Sequence, residues 1–496
     1  MTLIRRLLRR DTEPWFLAVA LASLAAGTAS ILIPLWVATW YGGSVGDVGV
    51  LSSLVSLVGV VGSLFWGRLS DAAHRRKLFV VGSYIMTGVS YIVMGMAGSY
   101  GQLVAWNMVQ NLFWVANASV TVLIVIENQD EDKWETKIGK LNQAGALGWV
   151  AGLALGTLAL VGGGESVGEA GRIRLLFPAI GAVAIGAALL AARYIPRTTP
   201  QYTKRRFRGV ALAVGNLLFE RARFSPFHLY HRISPKRIWA SLQTEAEGFR
   251  PGTKRFLLTT LVAYVALGFI AIPLPLLLRE RLGVSSSGVF LYSLVQNIGV
   301  ALAYPLATRR IARKGTRGVH GVALAVRVIL FGAGAVWLSG SGETLPAWIL
   351  LPAFLVYGVS WAYFQLSGIA LMSRVARAKN RGLALGLYNA LAGVGWIVAG
   401  VGSGKMADGL GYQASTAVAA GLLLVALLML RTVPDPAKAG NVSRKADERP
   451  IGQPASEDGP AKTSKTEATN KPQGGLSRWI RSGWHGMHES TSSSAH

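Results

Sequence analysis

Apolar runs about as long as a lipid bilayer is thick recur along the whole chain. Twelve can be marked, at roughly 15–40, 46–66, 78–99, 101–127, 139–161, 173–192, 256–278, 287–308, 318–340, 346–372, 383–404 and 412–430. A helix needs about 20 consecutive apolar residues to cross the hydrocarbon core. Composition agrees: of 496 residues 51% are hydrophobic and only 15% charged, against about a quarter charged in soluble domains. An ordinary soluble enzyme is excluded. A porin-type barrel would show alternation over ~10-residue segments rather than solid apolar blocks. The chain has no cysteine, which removes disulfides, thiolate nucleophiles and cysteine-ligated metal sites. The histidines form no cluster, so neither a metal nor a cofactor is expected. The fold expectation is an all-α integral membrane protein with twelve transmembrane helices in two pseudo-symmetric six-helix bundles.

The net charge of +26 invites a nucleic-acid partner, but the placement of the basic residues speaks for topology instead. Counted on alternate loops, 34 Lys and Arg fall on the side of the termini and five on the other. By the positive-inside rule both termini and the long central loop face the cytoplasm. The same residues offer a surface to anionic lipid heads.

The chain repeats itself. Trp114 matches Trp361, Gly139 matches Gly386, Asn142 matches Asn389, Gly148 matches Gly395 and Trp149 matches Trp396, each pair 247 residues apart. Residues 1–192 are therefore expected to form one six-helix bundle and 256–431 a second. Residues 193–255 form a basic cytoplasmic linker with short helices, one of them capped at Ser234-Pro235. Residues 432–496 form a polar, disordered tail. Within the tail, Leu476, Trp479, Ile480, Trp484 and Met487 share a helical face. The stretch 476–488 reads either as a short interfacial helix or as an unstructured end.

The loop after the second apolar run reads GRLSDAAHRRKLF, from Gly67 to Phe79. It resembles the signature of the major facilitator superfamily in that loop, with Gly67, Leu69, Asp71, Arg75 and Arg76 in place and Ala72 and His74 departing from it. The fifth run carries Gly139, Gly148, Gly152 and Gly156 in a spacing similar to the antiporter signature of the family's drug-efflux members. Leu153 stands for its proline and Thr157 for its last glycine. Glycines four apart make a flat face against which another helix packs closely, and Gly395 repeats Gly148 in the second half. In the fourth run, where proton-coupled exporters of the family carry an arginine, this chain has Asn107.

The resemblance implies a single-chain transporter of a small molecule in the plasma membrane, with helices 1, 4, 7 and 10 around a central cavity. On the fourth helix Asn107, Gln110, Asn111, Trp114, Asn117 and Thr121 fall within about a 120° arc. Amides cannot face lipid, where unmet hydrogen-bonding groups are costly. They face a ligand or bond to other helices. The matching face of the tenth helix is Tyr357, Gly358, Trp361, Phe364 and Gln365. Amides and aromatics suit a neutral or amphipathic organic molecule. Asp71 and Arg75 with Glu127 are expected to latch the cytoplasmic gate. Arg327, the only basic residue well inside a run, is expected to snorkel to the cytoplasmic face. The leading expectation is an exporter working by alternating access. A sugar or metabolite importer, a transport-inactive scaffold and a membrane-embedded enzyme are the alternatives. The last lacks clustered catalytic carboxylates.

Overall fold

The computed structural model describes residues 13–73, 76–128, 134–161, 168–196, 249, 251–340, 347–376 and 381–435. Among them there is no strand. Lipid offers no hydrogen-bond partner, so a spanning segment must satisfy its own backbone, and a helix does so within itself. In chain order the helices are α1 (Phe16–Trp40), α2 (Val45–Ala73), α3 (Arg76–Met96), α4 (Tyr100–Asn128), α5 (Trp134–Val161) and α6 (Glu169–Tyr194). The second set is α7 (Pro251–Ala271), α8 (Ser286–Lys314), α9 (Thr316–Ser339) and α10 (Leu351–Val375), then Arg381–Leu430. Gly411, at φ 84° and ψ 166°, divides that last stretch; the part before it is α11 and the part after it α12.

By length and composition, ten described stretches can cross a membrane. That number takes α11 and α12 as one and leaves out α4, the helix bearing the amides. Of the expected linker only 193–196, 249 and 251–255 are described, the last of these opening α7 five residues before the expected start at 256, and of the expected tail only 432–435; residues 476–488 and the cap at Ser234 lie outside the described residues.

The halves are built alike. In the first, α1 packs on α5, α3 on α6 and α2 on α4; in the second, α7 packs on α11, α9 on α12 and α8 on α10. Between halves, α2 meets α11 and α8 meets α5, the same exchange made twice, as a two-fold relation requires. Small residues let these pairs approach. A Cβ on Gly148 or Gly152 would overlap the Ala20 or Leu24 carbonyl of α1, and one on Gly156 would strike the Phe290 ring of α8. A Cβ on Gly395 would lie 2.7 Å from Tyr264 Cβ on α7. The Thr28 hydroxyl of α1 donates to the Gly152 carbonyl at 2.8 Å, fastening the same contact. Gly139 corrects the expectation for the glycine series. It is exposed, and a Cβ there would meet nothing within 4 Å, because it precedes the stretch of α5 that lies against α1.

Replacing Gly148 with leucine should therefore destabilise the fold by about 1–3 kcal/mol or more, as overpacking does, whereas Gly139→Ala should leave it nearly unchanged. Thermal unfolding followed by tryptophan fluorescence in detergent reads both. Equal melting temperatures for the two variants would contradict the packing described.

Candidate substrate cavity

Prolines shape the centre of the bundle. Proline has no N–H and cannot donate to the carbonyl four residues back. After Ala271, α7 breaks at Ile272–Pro273, resumes as a turn over Leu274–Leu276 and runs on as a π-helical segment, Leu277–Arg281. Pro273 removes the donor that the Phe269 carbonyl would have had. The buried Ser415 hydroxyl of α12 supplies it instead, at 2.7 Å. Pro34 sits inside α1 and leaves the Ser30 carbonyl without its helical donor in the same way.

Two adjoining cavities open beside these prolines, of ≈ 370 and ≈ 360 Å³. They share Ser30, Ile31, Trp149, Ala271 and Pro275 and form two lobes of one space between the halves. The first lobe is walled by Asn107, Gln110, Asn111 and Trp114 of α4, with Ser52 and Val55 of α2 and Tyr91 of α3. The second is walled by Tyr357 and Trp361 of α10, Gln296 and Asn297 of α8, and Trp396 of α11. No Asp, Glu, Lys or Arg lines either lobe. Asn111 spends its Nδ2 on the Val55 carbonyl at 2.7 Å, and Asn297 its Nδ2 on the Ser293 carbonyl at 2.8 Å. The side-chain carbonyls of both amides are left for other partners.

Leaving aside Thr121 and Gly358, six of the nine other residues on the two expected faces meet here: Asn107, Gln110, Asn111, Trp114, Tyr357 and Trp361. Three do not. Asn117 is buried deeper along α4, where its backbone carbonyl accepts from Thr121. Phe364 turns into the second half and lies face to face with His320, ring centroids 4.9 Å apart. Gln365 stands about 12 Å along α10 from Tyr357 and accepts from the Tyr304 hydroxyl at 2.9 Å.

Of the expected gate, Arg75 and the side-chain positions at Gly67, Asp71 and Glu127 lie outside the described part. Arg76 is half-buried at the start of α3. Arg327 overturns the snorkelling expectation. Its side chain is fully buried and turns inward onto α10 because three aromatic faces receive it. Its guanidinium carbon lies 5.2 Å from the Tyr357 and Trp361 ring centroids and 5.3 Å from that of Phe364.

The two ends of the bundle differ. Away from the termini, hydrogen bonds cross between the halves. The Gly46 N–H donates to Asp408 at 2.9 Å, and Ser53 donates to the Ile397 carbonyl at 2.7 Å. Arg279 grips Glu169 through both terminal nitrogens, at 2.9 and 3.0 Å, and the Ser286 hydroxyl donates to the same carboxylate. A two-pronged arginine–carboxylate pair is among the stronger polar contacts. At the terminal end the described bonds stay within a half: Lys137 to Glu13, Lys77 to Ile195, Arg255 to Thr432 and Arg317 to Arg431.

The sequence reading missed Trp149, Trp396, Gln296, Asn297 and the broken α7 as parts of this space. Two signals pointed there. Trp149 and Trp396 are a matched pair of the 247-residue repeat. The pattern I-x-I-P-L occurs at Ile31–Leu35 and again at Ile270–Leu274, marking both prolines beside the cavity.

Comparison with known proteins places the chain among transporters. A family model described as Major Facilitator Superfamily matches residues 15–377 and 256–468. A curated relative, a probable 4-methylmuconolactone transporter of Cupriavidus pinatubonensis (strain JMP 134 / LMG 1197), is 30% identical over 141 residues. That match spans 28% of this chain and 32% of the relative's length. The fold is similar to that of a mutant of the nucleoside transporter NupG, at TM-score 0.65 and 12% identity, covering 85% of this chain and 98% of that one. A D-xylose-proton symporter has TM-score 0.61 at 14% identity with the same coverage. The human organic anion transporter MFSD10 has TM-score 0.55 at 18% identity, covering 84% and 98%.

The Arg279–Glu169 pair keeps 27% and 39% of its side-chain surface exposed, so solvent screening holds its worth near the upper end for surface pairs, about 1 kcal/mol. Glu169→Gln should then raise the population open at that end about fivefold. A cysteine placed at Ser52, in a chain that has none of its own, should be alkylated correspondingly faster by an impermeant maleimide added from that side. An unchanged rate would show that the pair does not hold this end shut.

Proposed function

Because the chain belongs to the major facilitator superfamily, we propose that it is a secondary transporter moving a small neutral or amphipathic organic molecule by alternating access. The observation that carries this reading is the two-lobed cavity between the halves, lined by amides and aromatic rings and by no charged side chain. Cross-half hydrogen bonds lie at one end of the bundle only, among the described residues. With the termini in the cytoplasm of a plasma-membrane protein, as the basic loops argue, this is the inward-facing state of a monomer. The glycine spacing of α5 supports export. Uptake of a sugar or other metabolite is the second reading; the relative named as a 4-methylmuconolactone transporter bears on a metabolite as cargo and leaves the direction open. The inner gate falls to Gly67, Asp71, Arg75, Arg76 and Glu127, and closing it would alternate with opening the Glu169 end. Anionic lipid heads and the basic cytoplasmic loops attract each other.

Coupling to protons requires a group that titrates between the two states. No carboxylate lines the cavity, and Asn107 stands where an arginine would serve. Asp71 and Glu127 are the acidic residues assigned to the gate, and facilitated flux without an ion is the alternative. Flux in proteoliposomes with and without an imposed pH gradient tests this. Accumulation driven by the gradient should vanish when both carboxylates are neutralised; accumulation that survives would refute the assignment. In the same assay Asn107→Ala should weaken binding up to ~10-fold by removing a hydrogen bond. Trp361→Ala should weaken it further, because it also strips apolar contact. Wild-type affinity in both variants would place the substrate elsewhere.

A further inference from the structure

Arg327 is the one Lys, Arg, Asp or Glu among the described residues that is fully buried. Its Nε donates to the Ser360 hydroxyl at 3.0 Å. Both terminal nitrogens are buried with no hydrogen-bond partner, and no described carboxylate forms an ion pair with it. Burying an unpaired charge is costly, and an anion close by offsets part of that cost. The rings that hold the guanidinium, Tyr357 and Trp361, are also the wall of the second lobe. The positive charge thus stands one aromatic layer behind the surface a ligand would touch.

We propose that the second lobe receives the negatively charged end of an organic monoanion, with Arg327 as its counter-charge behind the aromatic wall. This rests on the cavity being the substrate site and narrows the substrate class there. The amides Asn107 and Gln110 of the opposite wall take the uncharged polar end. The ring centroids lie 5.2 Å from the guanidinium carbon; with a charged group about 4 Å beyond them, in van der Waals contact with the rings, and an effective dielectric constant of about 20, Coulomb attraction corresponds to about twentyfold in affinity for an acid over its neutral isostere. Arg327 touches no ligand in this scheme; it sets the potential in the lobe.

The chain's lack of cysteine makes that potential measurable without knowing the substrate. Single cysteines at Asn297, in the second lobe, and at Gln110, in the first, are reacted with anionic 2-sulfonatoethyl methanethiosulfonate and with neutral methyl methanethiosulfonate. The ratio of the two rates cancels the thiolate fraction and reports the local field. The ratio should be higher at the Asn297→Cys site than at the Gln110→Cys site. Arg327→Met should lower it about tenfold at the first and leave the second in place, and Arg327→Lys should retain part of it. A ratio at the Asn297→Cys site that Arg327→Met does not move overturns the proposal. If Arg327→Met does not fold, equal ratios at the two sites in the otherwise native chain overturn it equally well. Binding of benzoate and benzamide, read by quenching of cavity tryptophans, supplies the second arm. Benzoate should bind at least tenfold more tightly; equal binding overturns the charge assignment. Binding of neither, with the rate ratio as expected, counts against the cavity as a site for such ligands and leaves the field of Arg327 standing.

Discussion

A bilayer cannot hydrogen-bond, and this one fact organises the molecule. Each backbone carbonyl in the span needs a donor from within the protein. The helices meet that need almost everywhere. They fail where proline removes the donor, and there the structure answers locally, as Ser415 does for the Phe269 carbonyl freed by Pro273. Irregular backbone at membrane depth persists only where it is covered by protein or faces a polar space. The prolines of α1 and α7 therefore each leave a carbonyl without its helical donor beside the cavity, and that of α7 also breaks its helix there.

The same constraint explains how much of the fold was legible in the residues. Long apolar runs admit one backbone solution, so the helices could be marked to within about seven residues of their ends, and the 247-residue spacing announced two like halves. Packing glycines were legible where they recur every four residues: Gly148, Gly152 and Gly156 each meet a neighbouring helix. Gly139 fits the spacing but not the contact, because a pattern does not say where along a helix the partner begins.

The cavity was partly legible. Amides on one arc of α4 have nowhere to go but inward, and Asn107, Gln110 and Asn111 do so. An arc gives a direction but not a depth, and so Asn117 and Gln365 were assigned to a space that ends before it reaches them. Arg327 was misread for a related reason. Distance from the membrane face can be counted along a sequence, but the three aromatic faces that draw its guanidinium inward come from another helix. Trp149 and Trp396 escaped because the repeat was read as architecture, when the positions two halves keep in common include those that both present to the space between them.

Arg279 grips Glu169 from the π-helical end of α7, eight residues after Ala271, which lines both lobes. The broken stretch borders the cavity as far as Leu278, the residue before Arg279, and so joins the cavity wall directly to the closed end. Any molecule that binds differently when that stretch is straight and when it is bent is linked to the ion pair by a coupling free energy, and such coupling is reciprocal. Whatever factor occupancy applies to the opening of the Glu169 end, loss of the ion pair must apply to the affinity for the occupant. A transporter of this design can trade tightness of binding against readiness to open by changes at the rim alone, without altering a residue that touches its cargo.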